Sequence, residues 1–122
     1  MNRNKKKRGN LVIKNIPLSE VVDLSTLVAY QTGQVVSRTL AQNSGVSVTL
    51  FAFAAGEGLS THTASGDALV HIVDGEALIT IDNEEMRVSA GQAVVMPANV
   101  PHAVAAPTDF KMLLVIIKPD KA

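Results

Sequence analysis

At 122 residues the chain has the length of one domain, enough to close a hydrophobic core without covalent staples. With no cysteine, disulfides, thiolate nucleophiles and sulfur metal ligands are all excluded. The formal net charge is zero but unevenly placed: Arg3, Lys5, Lys6, Lys7 and Arg8 supply five of the eleven basic residues, leaving six basic against eleven acidic, a net of −5, in the rest.

The basic run has no aromatic or groove-reading partner, and the body it precedes is acidic. We therefore expect a disordered, solvated tail over 1–10, one domain over 11–122 and no nucleic-acid partner. Leu11 to Ile13 is too short an apolar stretch for a signal-peptide core, and Met112 to Ile117 is strand-sized. No membrane association is expected, and the cytoplasm is the expected location.

In chain order, "PLSEVVDLSTLV" over 17–28 opens with Pro17 and Ser19 ahead of Glu20 and reads as a short helix or turn. "VVSRTLAQ" over 35–42 alternates, "NSG" at 43–45 turns, and "VSVTLFAFA" over 46–54 is dense in β-branched and aromatic residues. "ALVHIV" runs into Asp74-Gly75 and then "EALITID", which predicts a hairpin. "DNEE" at 82–85 turns the chain into "MRV", and "QAVVMP" over 92–97 and "KMLLVIIK" over 111–118 complete the series. Pro97, Pro101 and Pro107 fall at strand ends or in loops, where no ladder hydrogen bond is lost. Short strands with regularly spaced turns predict an all-β sandwich or small closed barrel.

Two glycine-framed stretches hold the chemistry. In the first, Gly56 is followed after five residues by His62, and Gly75 closes the stretch. In the second, "GQAVVMPANVPHAVAA", Gly91, Pro97 and His102 are the fixed points. Together, across about residues 35–118, they resemble the two short motifs of the cupins, G-x5-H-x-H-x3,4-E-x6-G and G-x5-P-x-G-x2-H-x3-N. The resemblance implies a double-stranded β-helix, the RmlC-like jelly-roll barrel, with both motifs on neighbouring strands. His62 and His102 would then meet in its mouth. Departures are as informative: the second histidine falls on Ala64, the glutamate on Ala68, the second motif's glycine on Asn99 and its asparagine on Ala106. Of the four ligands that the resemblance implies, two remain.

A catalytic metal usually takes three protein donors and keeps an open position. Asp67 is the candidate third ligand beside His62 and His102, with a turn or capping role in "SGD" as its alternative. His71 should point outward by strand parity and serve surface or subunit packing. Met96 and Gln92 are expected to line the cavity beside the two histidines, although a core methionine is often a gap filler. Glu57, between two glycines, reads as solvated. Alanine at the former ligand positions should leave a larger, drier pocket.

Three readings follow. In the first, a small organic ligand sits in the barrel interior with weak or no metal, and His62 and His102 donate hydrogen bonds to an anionic or carbonyl group or serve as acid and base. In the second, a divalent Mn, Fe, Ni or Zn on His62, His102 and Asp67 serves a dioxygenase, isomerase or decarboxylase. In the third, the barrel is a non-catalytic dimeric interaction or sensory module. No nucleophile elbow, phosphate loop, dinucleotide fingerprint or paired-carboxylate site competes. A homodimer is expected from the resemblance and because the outward positions Leu69, His71 and Val73 are too apolar for an open face.

Overall fold

The computed structural model describes residues 12–120, and the basic run expected to form a tail lies outside them. A 3-10 turn at Leu24–Thr26 is followed by eight strands. They are β1 (Val35–Gln42), β2 (Val46–Phe53), β3 (Gly58–His62), β4 (Asp67–Ile81), β5 (Glu84–Ser89), β6 (Ala93–Met96), β7 (His102–Ala105) and β8 (Phe110–Ile117). All pairings are antiparallel. One sheet runs β1-β2-β8-β4-β6 and the other β5-β4-β7-β3, so β4 belongs to both. Its first half pairs with β8 and β6, its second with β7 and β5. This is the jelly-roll architecture expected above.

The Asp74-Gly75 hairpin is not formed; β4 continues through it for 15 residues. A two-residue I′ turn needs positive φ at both central positions, and at this pair only Gly75 has it, at 74°. The register against β8 shifts between Ile72 and Asp74 instead, a bulge that bends β4 from one sheet to the other. A side chain on Gly75 would lie 2.2 Å from the Asp109 carbonyl oxygen. The true hairpin follows at Asp82-Asn83, where φ is 48° and 69° and Ile81 faces Glu84.

Alternation along the strands sends one set of side chains between the sheets. Phe53, Val70, Ile72, Ile79, Phe110 and Met112 are fully buried there, joined by Ala68, Met96, Val104 and Ala106. The Phe53 and Phe110 rings stack with centroids 4.6 Å apart. A second apolar layer lies on the outside of the first sheet, where Val28, Leu40, Leu50 and Ala52 pack with Leu24, Leu27 and Leu113. Here the segment before β1 is laid over the sheet. Lys111 Nζ donates to the Ser25 carbonyl at 2.6 Å and lies 4.7 Å from the centre of the Tyr30 ring. The Tyr30 hydroxyl donates to the Asp74 carboxylate, at the bulge itself.

Candidate functional site

β3 ends at His62 and β7 begins at His102, and these two residues are register partners. On its other side His102 pairs with Ile81, the last residue of β4. The two histidines, forty positions apart, therefore share one end of one sheet. His102 alternates with Val104 on the inward face and is 3% exposed, whereas His62 is open to solvent. The connecting loops are tied together: Asn99 N–H donates to the Ala64 carbonyl at 2.7 Å, and Ala98 N–H to the Asp67 carboxylate at 2.8 Å. Asn99 occupies the position where the motif has glycine, and its φ of 64° explains the substitution. Asparagine is among the few residues that enter this region readily.

The ring geometry fixes the proton positions. His62 Nδ1 is 2.7 Å from the Ser60 carbonyl oxygen, and His102 Nδ1 is 3.1 Å from that of Val100. A carbonyl oxygen only accepts, so each Nδ1 carries hydrogen and each neutral ring leaves an unprotonated Nε2. Those two Nε2 atoms face each other at 3.2 Å, with the rings nearly perpendicular at 74°. Two lone pairs thus converge, satisfied only by a shared proton or by a group that donates to them. Burial, and then the neighbouring His62, lower the pKa of His102, opposed in part by its bond to Val100. With both rings neutral, the pair offers two acceptors, where the sequence suggested donors or an acid and a base.

A divalent cation is the other thing such a pair can hold. Nitrogens 3.2 Å apart and each about 2.1 Å from a metal subtend about 100°, between octahedral and tetrahedral values. The bite fits, but the donor set does not. Among the described residues no three His, Asp or Glu side chains gather around a common point. Asp67 is not brought to the pair: its Oδ1 caps Ala98 N–H, the capping role that was its alternative. Ala64, Ala68 and Ala106 offer no donors.

The remaining expected site residues lie elsewhere. Gln92 is exposed on the turn between β5 and β6, where its Oε1 accepts from Ser89 N–H at 2.9 Å. Met96 is 3% exposed and faces Ala68 across the β4–β6 ladder, within the core. Methionine has taken up room beside the missing glutamate, and Ala68 and Ala106 belong to the packed interior. The site is therefore at the barrel mouth rather than in an enlarged, dry cavity. His71 points outward as expected; with Val73 it borders a hollow of about 310 Å³ beside Val22 to Ser25. Sequence reading missed the carbonyls of Ser60 and Val100, since nothing in a side-chain pattern reports which ring nitrogen a backbone will engage.

The cupin-domain family profile matches residues 49–118, which hold both histidines. The chain is a cupin. A Streptococcus pyogenes protein of unknown function is 42% identical to it, with a TM-score of 0.89 over 93% of this chain and 99% of that one. A cupin superfamily protein from Desulfitobacterium hafniense is 36% identical, with a TM-score of 0.84 over 88% and 98%. Salicylate 1,2-dioxygenase from Pseudoaminobacter salicylatoxidans is 16% identical, with a TM-score of 0.63 over 68% of this chain and 26% of that one, and shares the fold alone. Comparison with curated proteins gave no match.

Proposed function

We propose that this cupin binds a small organic molecule at the barrel mouth through the paired Nε2 acceptors of His62 and His102, with no tightly held resident metal. The supporting observation is the 3.2 Å approach of two nitrogens whose rings are both held in the Nδ1–H form. The complementary ligand presents a hydroxyl, ammonium or amide N–H, one donor spanning two acceptors. His102 supplies a buried, pre-oriented nitrogen and His62 an exposed one that the ligand reaches first. Rings already locked by their carbonyl bonds lose little freedom on binding, which favours affinity. Ser60, Thr61 and Thr63, the residues next to His62 in the chain, are all exposed.

A metal-dependent reading rests on the bite alone. In that reading a cation held by two imidazoles takes its remaining donors from the bound molecule. Among the described residues no third protein donor joins the pair.

The test is a survey of small alcohols, amines and amides against chelator-treated protein by nitrogen-detected histidine NMR. Binding should move both Nε2 resonances while both rings keep the Nδ1–H form, and should disappear in His62→Ala and in His102→Ala. One equivalent of metal surviving exhaustive chelation and lost in His62→Ala would defeat the proposal. So would binding indifferent to both substitutions.

A further inference from the structure

The inner face of the first sheet changes character along its length. Val35, Phe51, Phe53 and Met112 turn inward into the packed core, but towards the end of β1 and the start of β2 the inward positions are polar. Thr39 and Thr49 are register partners there, and so are Gln42 and Ser47. Thr49 pairs in turn with Leu114, and Ser47 with Ile116, both of which pack on the core, so this polar row belongs to the inside of the barrel. The same end carries the histidine pair. β3 stops at His62, the loop 63–66 leads to Asp67, and Asp67 pairs with Ile117, itself the partner of Val46. Ala64, Ser65 and Gly66 of that loop border a hollow of about 240 Å³ with Gln42, Ser47 and Lys118. Lys118 N–H donates to the Gly45 carbonyl at 2.8 Å, which carries the β2–β8 ladder one residue further. The alternation that turns Ile116 inward therefore reaches Lys118 at the rim.

We infer, resting on the ligand reading above, that the molecule held by the histidine pair is a small hydroxy acid. Its hydroxyl donates to the two Nε2 atoms, and its carboxylate meets Lys118 across the mouth. Among the described residues Lys118 is the one charged side chain lining this hollow, and the others that could bond a ligand, such as Gln42, Asn43, Ser47 and Ser65, are neutral. An ammonium with its three donors matches a carboxylate, and neutral amides and hydroxyls complete such a set. A cationic ligand finds no anion in the hollow and is repelled by Lys118. Asp67 does not cancel that preference, because it lies on the opposite face of β4 from the buried Ala68 and one of its oxygens is engaged by Ala98 N–H. The lysine is exposed, so a carboxylate at the rim keeps part of its hydration and escapes the desolvation cost of a buried ion. The histidines thus read the hydroxyl and the lysine reads the charge.

The test is a series of terminal hydroxy acids from glycolate to hydroxyhexanoate, each beside the diol in which a hydroxymethyl group replaces the carboxylate. Dissociation constants are read from the histidine Nε2 resonances of chelator-treated, full-length protein at low salt. At least one acid should bind roughly fivefold or more tightly than its diol. Lys118→Gln should abolish that preference and leave diol binding unchanged, Lys118→Arg should keep it, and added salt should shrink it. The side chain is exposed, so an unchanged thermal melt will certify that both variants are folded. His62→Ala should weaken acid and diol alike. Equal affinity of every acid and its diol, a preference that survives in Lys118→Gln, or no binding by any acid would overturn the hydroxy-acid assignment. In each case the histidine reading still stands if other donors bind and lose affinity in His62→Ala; it falls only if no probe depends on the pair.

Discussion

Position 68 is 1% exposed and faces Met96, so a longer side chain there meets a filled interior. Ala68→Glu, which restores the residue type of the motif, should therefore cost roughly 3–5 kcal/mol as an uncompensated buried carboxylate. A lowered melting temperature, partly recovered on adding a divalent cation, is the expected result. His102 gives a second prediction at this scale. Its pKa lies below the ordinary value of 6.5, so folding favours the neutral ring. Above 6.5 the group makes no difference to the pH dependence; as pH falls through it, the unfolded chain takes up the proton first and stability declines until the lowered value is passed. Melts from about pH 8 to about pH 5 should show this decline, and His102→Gln should flatten it. The pair itself was legible only through the resemblance of the two motifs to those of the cupins. Its polarity was not, because that depends on two backbone carbonyls whose positions only the folded loops define.

Among the elements, β4 and the strap over the first sheet carry the informative predictions. Gly75→Ala should destabilise by at least about 2 kcal/mol. A left-handed backbone is unfavourable for alanine, and its methyl group would strike the Asp109 carbonyl. Tyr30→Phe removes the bond to Asp74 and should lower stability by about 1 kcal/mol. Limited proteolysis should then cut between Ser25 and Gln31 sooner than in the wild type, because this bond helps hold the strap down. β1, β2 and β8 matched their sequence patterns to within about a residue, since each is eight residues long and is marked by alternation, by β-branched and aromatic density or by an unbroken apolar run. β3 and β7 were not read as strands. "GLSTH" and "HAVA" are short and rich in polar or alanine residues, and they are strands only because they pair with each other and β7 pairs in turn with β4. The Asp-Gly signal misled for a related reason: a turn preference is local, whereas β8 and β7 hold the two halves of β4 in line.

For the molecule as a whole, the family was within reach of the sequence because two separated motifs agreed, and each fixes glycines at bends that the barrel requires. The layout of the outer surface was not, because it depends on which rows the strap covers. Among the described residues no helix is long and apolar enough to cross a membrane. If no metal is built into the fold, exhaustive chelation should leave the melting temperature of the whole protein unchanged; a marked fall would place a cation among its structural supports.

The sharing of β4 bears on how the barrel comes apart. Val70 and Ile79 are both fully buried, one in each half of the same strand, and freeing either sheet would strip partners from the other. The two sheets are therefore expected to open together rather than one at a time. Amide protons at Val70 and Ile79 should exchange with deuterium at the same free energy, equal to that of global unfolding, and any destabilising change in one half should be felt in full by the other.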